Sequence, residues 1–217
     1  MYSLDRNNYI LNEKDSTVYT PSEVSEFMFN VLKDDVPQGG IVFDPCVGAG
    51  SLLLPWEKQY KTIGFDIVYQ GYRKTEIHDY LSLTREDIHF VPNLVLINPP
   101  FNSNETLRAA SKKMGYGAKP LIPELFLRKT IELFGKTVKL ALFTPYGLRL
   151  NMDRTSKRLS YFLDGIFPEI SGMISLPKDT YQDVYFHSEI LFFNTEHAKP
   201  HYFMKWGENN ELVKKHP

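Results

Sequence analysis

Residues Asn98-Pro99-Pro100-Phe101 close an apolar run, Leu94 to Ile97, and together they have the chemistry of a clamp for an amino group. The run suits a short buried strand, which Pro99 must end because it has no N–H to give to a ladder. A residue before proline is held extended, and Pro100 restricts Pro99 in the same way, so Asn98 is left at the strand's carboxyl end with little freedom to lose. The Asn98 side-chain oxygen and the Pro99 carbonyl are acceptors, and neither proline adds a backbone donor. An exocyclic amino group held by two such acceptors has its lone pair drawn out of conjugation and aimed at an electrophile, with Phe101 stacked on the ring. The same octapeptide reads equally well as a strand followed by a Pro-Pro loop, so the elements around it have to decide.

Those elements alternate. Thr20-Pro21-Ser22-Glu23 predicts a helix start, with Thr20 or Ser22 as cap, and Val24, Phe27, Met28, Val31 and Leu32 follow on one face. Ile41 to Phe43 reads as a strand, Asp44 to Gly50 as a loop, and Ser51 to Tyr60 as a helix despite Pro55. A second strand, Thr62 to Phe65, ends at Asp66, a third ends at Asp79, and a fourth runs from Phe90 to Ile97. Residues 102–119 are polar and read as a long mobile loop with a helical patch at Leu107 to Lys113, of the kind that forms lids and binding loops. Beyond it the pattern predicts a helix over Leu121 to Phe134, a strand over Val138 to Phe143, a helix over Arg154 to Leu163, and strands near Met173 to Leu176 and Glu189 to Phe193. The expected fold is α/β: a doubly wound, mostly parallel sheet closed by an antiparallel edge hairpin. In such sheets ligands bind beyond the strands' carboxyl ends, where Asp44, Asp66, Asp79 and Asn98 all fall.

The loop Asp44-Pro45-Cys46-Val47-Gly48-Ala49-Gly50 lets a backbone approach a ligand closely, and Asp66, 22 residues after Asp44, stands where a carboxylate accepts ribose hydroxyls. This describes a nucleoside cofactor. A nicotinamide dinucleotide fits less well, because Leu53 stands at the third glycine position of its fingerprint, and no Gly-Lys-Ser/Thr marks a phosphate loop. An acidic loop suits a cation, and S-adenosylmethionine carries both a sulfonium and an ammonium.

Three segments in order then resemble the N6-adenine DNA methyltransferases in which the cofactor motif precedes the catalytic one. Tyr19-Thr20-Pro21 resembles the amino-terminal cofactor motif, Asp44 to Gly50 the glycine loop, and Asn98 to Phe101 the catalytic tetrad. Phe143 to Gly147 and Ile174 to Pro177 are similar, more loosely, to the modification subunits of type I restriction systems. The resemblance covers roughly residues 19–194. It implies a Rossmann-like class I methyltransferase fold, S-adenosylmethionine as methyl donor, and adenine in DNA as acceptor, rotated out of its duplex onto Phe101. It also implies that Asp44, Gly48 and Gly50 line the methionine part of the cofactor, with Thr20 and Pro21 beside it. Asp66 would hold the ribose, Asp79 the adenine amino group, and Ile67 would pack on the adenine. Tyr19, Pro45, Cys46 and Asn98 complete the implied cofactor set, and Asn98, Pro99, Pro100 and Phe101 form the catalytic one.

Composition bounds the rest. The 217 residues suit one domain, residues 1–217, without a membrane span or targeting segment, and read as a cytoplasmic protein. A single cysteine excludes an internal disulfide and a cysteine-built zinc site, and the six histidines lack metal spacing, so no metal is expected. Cys46 reads as a small packing residue and not as a nucleophile. The formal net charge of -1 allows only a patchy nucleic-acid footprint. Arg108, Lys112 and Lys113 in the long loop are the candidate phosphate contacts; Arg149, Arg154, Lys157 and Arg158 read as either phosphate contacts or a solvated face. Only about 24 residues follow Phe193, so no separate target-recognition domain is expected, which leaves three routes to the target: the 102–119 loop, a specificity or recognition subunit, which the near-neutral charge favours, or little sequence preference. Two other acceptors, an RNA base amino group and a protein glutamine amide, would suit the same tetrad. A non-catalytic cofactor-binding subunit of a methyltransferase complex is the reading without chemistry.

Overall fold

Helix α1 (Ser22–Leu32) follows Pro21, whose φ of -58° and ψ of 146° hold the chain extended at the cap. Neither Thr20 nor Ser22 caps it with a side chain: the Ser22 hydroxyl turns to Glu23, and the Thr20 hydroxyl lies against Asn98. The computed structural model describes residues 19–100, 121–150, 157–181, 187–207 and 212–215. The 102–119 loop and its helical patch therefore lie outside the described residues.

Strands β1 (Ile41–Asp44), β2 (Lys61–Asp66), β3 (Thr75–Ile77) and β4 (Leu94–Ile97) pair in parallel, as does β5 (Leu140–Pro145) with β4. Two strands are shorter than expected. β4 begins at Leu94 and not Phe90: Pro92 has no N–H to pair, and Asn93 spends its side chain on the Ile41 backbone N–H at 2.8 Å. β3 stops at Ile77, because the Asp79 carboxylate accepts the Leu81 N–H and opens a tight 3-10 turn over Tyr80–Ser82. The helix expected over Ser51 to Tyr60 reduces to a 3-10 turn, Leu54–Trp56, where Pro55 cannot donate and the Gly50 carbonyl serves both Leu53 and Leu54.

Helix α2 (Ile122–Phe134) ends at Gly135, which has φ +86°. After β5 come two short helices, α3 (Gly147–Leu150) and α4 (Lys157–Leu163), and then an antiparallel pair, β6 (Ile170–Ser175) and β7 (Ser188–Phe193). That pair lies inside the sheet, and the edge is formed by a second hairpin, β8 (His201–Trp206) and β9 (Leu212–Lys215), which the sequence reading did not anticipate. In β8 the buried Tyr202 and Met204 alternate with an exposed Phe203, and this exposed aromatic blurs the strand signal. The described residues form one sheet of order β3-β2-β1-β4-β5-β7-β6-β8-β9, with its switch point between β1 and β4.

Both faces are covered. α1 and Trp56 pack on Val42, Leu94, Leu96, Phe143 and Phe192, while α2 packs on Phe43, Val95, Ile97, Leu142 and Leu191. Two-sided burial is why β4, Leu140 to Phe143 of β5 and Ile190 to Phe193 of β7 are continuous apolar runs. Just past α1, the fully buried Asp35 carboxylate accepts Lys139 Nζ at 3.0 Å and the backbone N–H groups of Glu196 and His197. Burial works to raise its pKa; these hydrogen bonds overcome that and hold it below the ordinary value. No helix among the described residues is long and apolar enough to cross a membrane. Nor does any group of three or more His, Cys, Asp or Glu among them suit a metal ion.

Candidate functional site

Asp44, the last residue of β1, is 1 % exposed and accepts the Cys46 N–H at 2.9 Å. Burial pushes its carboxyl up to about 7, against the opposing pull of the Cys46 hydrogen bonds, and the nearby Asp66 carboxylate adds to the rise. A buried carboxylate so far above its ordinary value is a place where a cation would be well received.

The glycine loop is built by close approach. Gly50 has φ +87°, and a Cβ there would stand 2.3 Å from the ring of Tyr72, whose hydroxyl donates to Glu57 and is also hydrogen-bonded with the Thr62 hydroxyl. Gly48 has φ +52° and donates its N–H to Asp66 Oδ2 at 2.8 Å, which ties the loop to the end of β2. Tyr19 lies over this glycine, 3.7 Å from where a Cβ would be, and its hydroxyl donates to Gln70 Oε1 at 3.3 Å. Gln70 in turn reaches the Asp66 carboxylate at 3.4 and 3.5 Å, so Tyr19, Gln70, Asp66 and Gly48 close a ring around the groove. Ile67, Val68 and Tyr69 stand exposed on its rim, Ile67 at 72 %. Asp79 is exposed beyond β3, and its side chain caps the turn at Leu81.

Asn98 follows β4 at the switch point, with Pro99 buried and Pro100 exposed; Phe101 lies outside the described residues. Its Nδ2 donates to Thr20 Oγ1 at 2.9 Å, joining the catalytic candidate to the segment ahead of α1. The Cys46 thiol lies between the two halves of the site. Burial and the Asp44 and Asp66 carboxylates push it well above its usual range, against a hydrogen bond with the Asn98 backbone. A thiol held protonated is no nucleophile. Pro21 stands at the α1 cap and Pro45 within the loop, next to these contacts. Tyr19, Thr20, Asp44, Cys46, Gly48, Asp66 and Asn98 therefore form one connected group, with Ile67 and Asp79 set apart on the exposed side.

The second group of basic residues reads differently in the structure. Arg149 donates a two-pronged pair of hydrogen bonds to the fully buried Glu189 on β7, at 2.9 Å for the shortest contact, and these bonds hold the Arg149 pKa up. Arg158 donates through Nε and Nη2 to one oxygen of the buried Glu124, at 2.9 and 2.8 Å, and Arg128 holds the same carboxylate from one helical turn away. Both guanidinium forks are tied to buried carboxylates and do not form a free solvated face; Arg108, Lys112, Lys113 and Arg154, and the Lys157 side chain, lie outside the described residues. The sequence reading also missed Gln70, Tyr72 and Gly64, where a Cβ would come within 2.8 Å of Val47. Glycine in the middle of a strand was the available signal for the last of these.

Residues 2–78 match the family model N-6 DNA Methylase. No curated protein matches the sequence. Among solved structures, a modification subunit assigned to a type I restriction enzyme of Vibrio vulnificus YJ016 is 16% identical, with a TM-score of 0.65, over 89% of this chain and 48% of that one. The type I restriction-modification methyltransferase subunit of Streptococcus thermophilus is 18% identical, with a TM-score of 0.60, over 89% and 49%. The M protein of the type I restriction enzyme EcoKI is 12% identical, with a TM-score of 0.62, over 91% and 51%. The chain thus spans about half the length of these proteins, and at such identities the likeness speaks to the fold. In sequence over residues 2–78 the chain is similar to the N-6 DNA methylases, and its fold is the class I methyltransferase fold of type I modification subunits.

Proposed function

We propose that this chain is an S-adenosylmethionine-dependent methyltransferase that modifies the exocyclic N6 amino group of adenine in DNA, in an assembly where a partner subunit contributes target selection. The observation that carries this is the linkage of Asn98-Pro99-Pro100 to the acidic cofactor groove through Thr20 and Cys46. The residues fit the cofactor: a buried Asp44 ready to charge against a cation, Asp66 at the end of β2 for ribose hydroxyls, and two positive-φ glycines that leave room for the ligand. When bound, S-adenosylmethionine supplies a methyl group already activated by a sulfonium. The chain's own task is alignment: Asn98 Oδ1 and the Pro99 carbonyl accept the two amino hydrogens, Phe101 stacks on the base, and the amino lone pair is turned toward the methyl. Single domain organisation over residues 1–217, and the roles of Ile67, Asp79, Arg108, Lys112 and Lys113, belong to this same reading.

Incubation with tritiated S-adenosylmethionine and unmethylated genomic DNA is expected to yield label that co-elutes with N6-methyladenine after nuclease digestion. Label found only in RNA or in protein would overturn the DNA assignment.

Asp44 gives the reading a pH signature. Its folded pKa, about 7, lies above the ordinary 3.8, so the folded chain keeps a proton that the unfolded chain loses, and the ligand-free protein loses stability as pH rises between those values. A cation beside Asp44 reverses the preference. Cofactor binding is expected to release a proton below pH 7, and affinity to rise by up to about tenfold per pH unit until it levels off above that point. Calorimetry in buffers of different ionisation enthalpy reads the proton, and Asp44→Asn is expected to remove the slope.

A further inference from the structure

Thr20 is buried although it lies in the extended stretch ahead of a helix, and its hydroxyl leaves that helix uncapped to meet a side chain 78 residues away. The residue it meets has a particular need. The terminal torsion of asparagine is broad and nearly two-fold, so its amide has two orientations of similar intrinsic energy and opposite chemistry. In one the carbonyl oxygen faces the acceptor base; in the other the NH2 does. Only the first can accept from an exocyclic amino group, since two sets of N–H donors cannot pair. The oxygen and nitrogen of an amide diverge from the same carbon, so holding Nδ2 on one side turns Oδ1 to the other.

We propose that Thr20 is the positioning residue of the clamp: its hydroxyl accepts Asn98 Nδ2–H at 2.9 Å and so fixes the amide with Oδ1 toward the amino group. This rests on the methyltransferase reading above, and it gives Thr20 a duty toward the acceptor where family resemblance places it beside the cofactor. The position suits the duty. Pro21 fixes the backbone immediately after Thr20, as Pro99 does after Asn98, so the two partners face each other from chain segments with little freedom. Tyr19, directly before it, lies over Gly48, so the same dipeptide touches both the cofactor loop and the clamp.

The test compares Thr20→Val, which keeps the shape and removes the hydroxyl, with Thr20→Ser, which keeps the hydroxyl. At saturating cofactor and DNA, Thr20→Val is expected to lower kcat by about ten- to a hundredfold, the scale of a misplaced catalytic group. Cofactor Kd and the KM for DNA are expected to stay within about twofold, and Thr20→Ser to recover most of the rate, because only the orientation of the clamp depends on the hydroxyl. A Thr20→Val enzyme with undiminished kcat, or one whose loss lies wholly in cofactor affinity, overturns the proposal. A second measurement needs no substrate. In protein labelled with 15N at asparagine, the Asn98 side-chain amide is expected to be slow to exchange in wild type and Thr20→Ser and fast in Thr20→Val. Equal exchange in all three overturns the proposal, whereas a wild type with a protected amide and no transfer to DNA removes the methyltransferase reading and leaves the bond in place. Thermal melts of both variants identify any loss due to unfolding, and the wild-type Asn98 amide carries the test if Thr20→Val does not fold: rapid side-chain exchange in wild type overturns the proposal.

Discussion

Asn98→Ala is expected to lower methyl transfer to DNA by about three orders of magnitude while cofactor affinity stays within a small factor of wild type. The separation follows from where the bonds lie. The hydrogen bonds that shape the cofactor groove, Gly48 to Asp66 and Cys46 to Asp44, use no atom of the Asn98 side chain. The contact to Thr20 does, and so does the acceptor offered to the amino group. Truncation therefore removes a transition-state interaction and spares the ground-state ones. Single-turnover transfer and calorimetric titration on the same preparation give the two numbers. Simultaneous loss of cofactor binding would mean that Asn98 holds the groove together and is not specific to the acceptor.

Gly50→Ala is expected to be the most damaging change in the cofactor loop, for two additive reasons. At φ +87° an alanine is strained, at a cost of about 1–3 kcal/mol. Its Cβ would also stand 2.3 Å from Tyr72, whose ring cannot retreat while its hydroxyl is bonded to both Glu57 and Thr62, and overpacking of this kind costs about 1–3 kcal/mol more. A loss of about 3 kcal/mol corresponds to a Tm lower by roughly 6–12 °C for a chain of this size. Gly71→Ala is the matched control: it too has positive φ, at +111°, but nothing lies within 4 Å of its Cβ, so it carries the strain without the clash. Melts of the two variants isolate the Tyr72 term, and equal shifts would show that the ring gives way. Because Gly50 N–H bonds the Val47 carbonyl and Val47 N–H bonds Phe65, displacement of Gly50 is also expected to pull Gly48 away from Asp66 and to weaken cofactor binding.

The parts of this site that the sequence made legible are those set by local rules. An apolar run that stops at a polar residue marks a strand's carboxyl end, and Asp44, Asp66 and Asn98 were found that way; each closes or directly follows its strand. What stayed hidden depends on meetings across the fold. Nothing near Arg149 announces Glu189, forty positions on, and nothing near Arg158 announces Glu124; both arginines therefore looked like free surface charge. The same is true of Thr20 and Asn98, whose distance depends on α1 docking beside the switch point. Helical spacing across Ser51 to Tyr60 was outweighed by one proline, and β8 and β9 were obscured by an exposed aromatic and by a strand too short to show a period.

Asp35 gives the molecule an order of assembly. It lies a few positions after the helix that presents Tyr19 and Thr20, yet the backbone groups that hold it belong to Glu196 and His197, 161 and 162 positions further on. On a ribosome every residue of the cofactor groove emerges long before those partners do, and closing so large a loop is slow. The groove is thus expected to stay loose in the nascent chain and to become competent only when the β7–β8 turn arrives and pins the far end of α1.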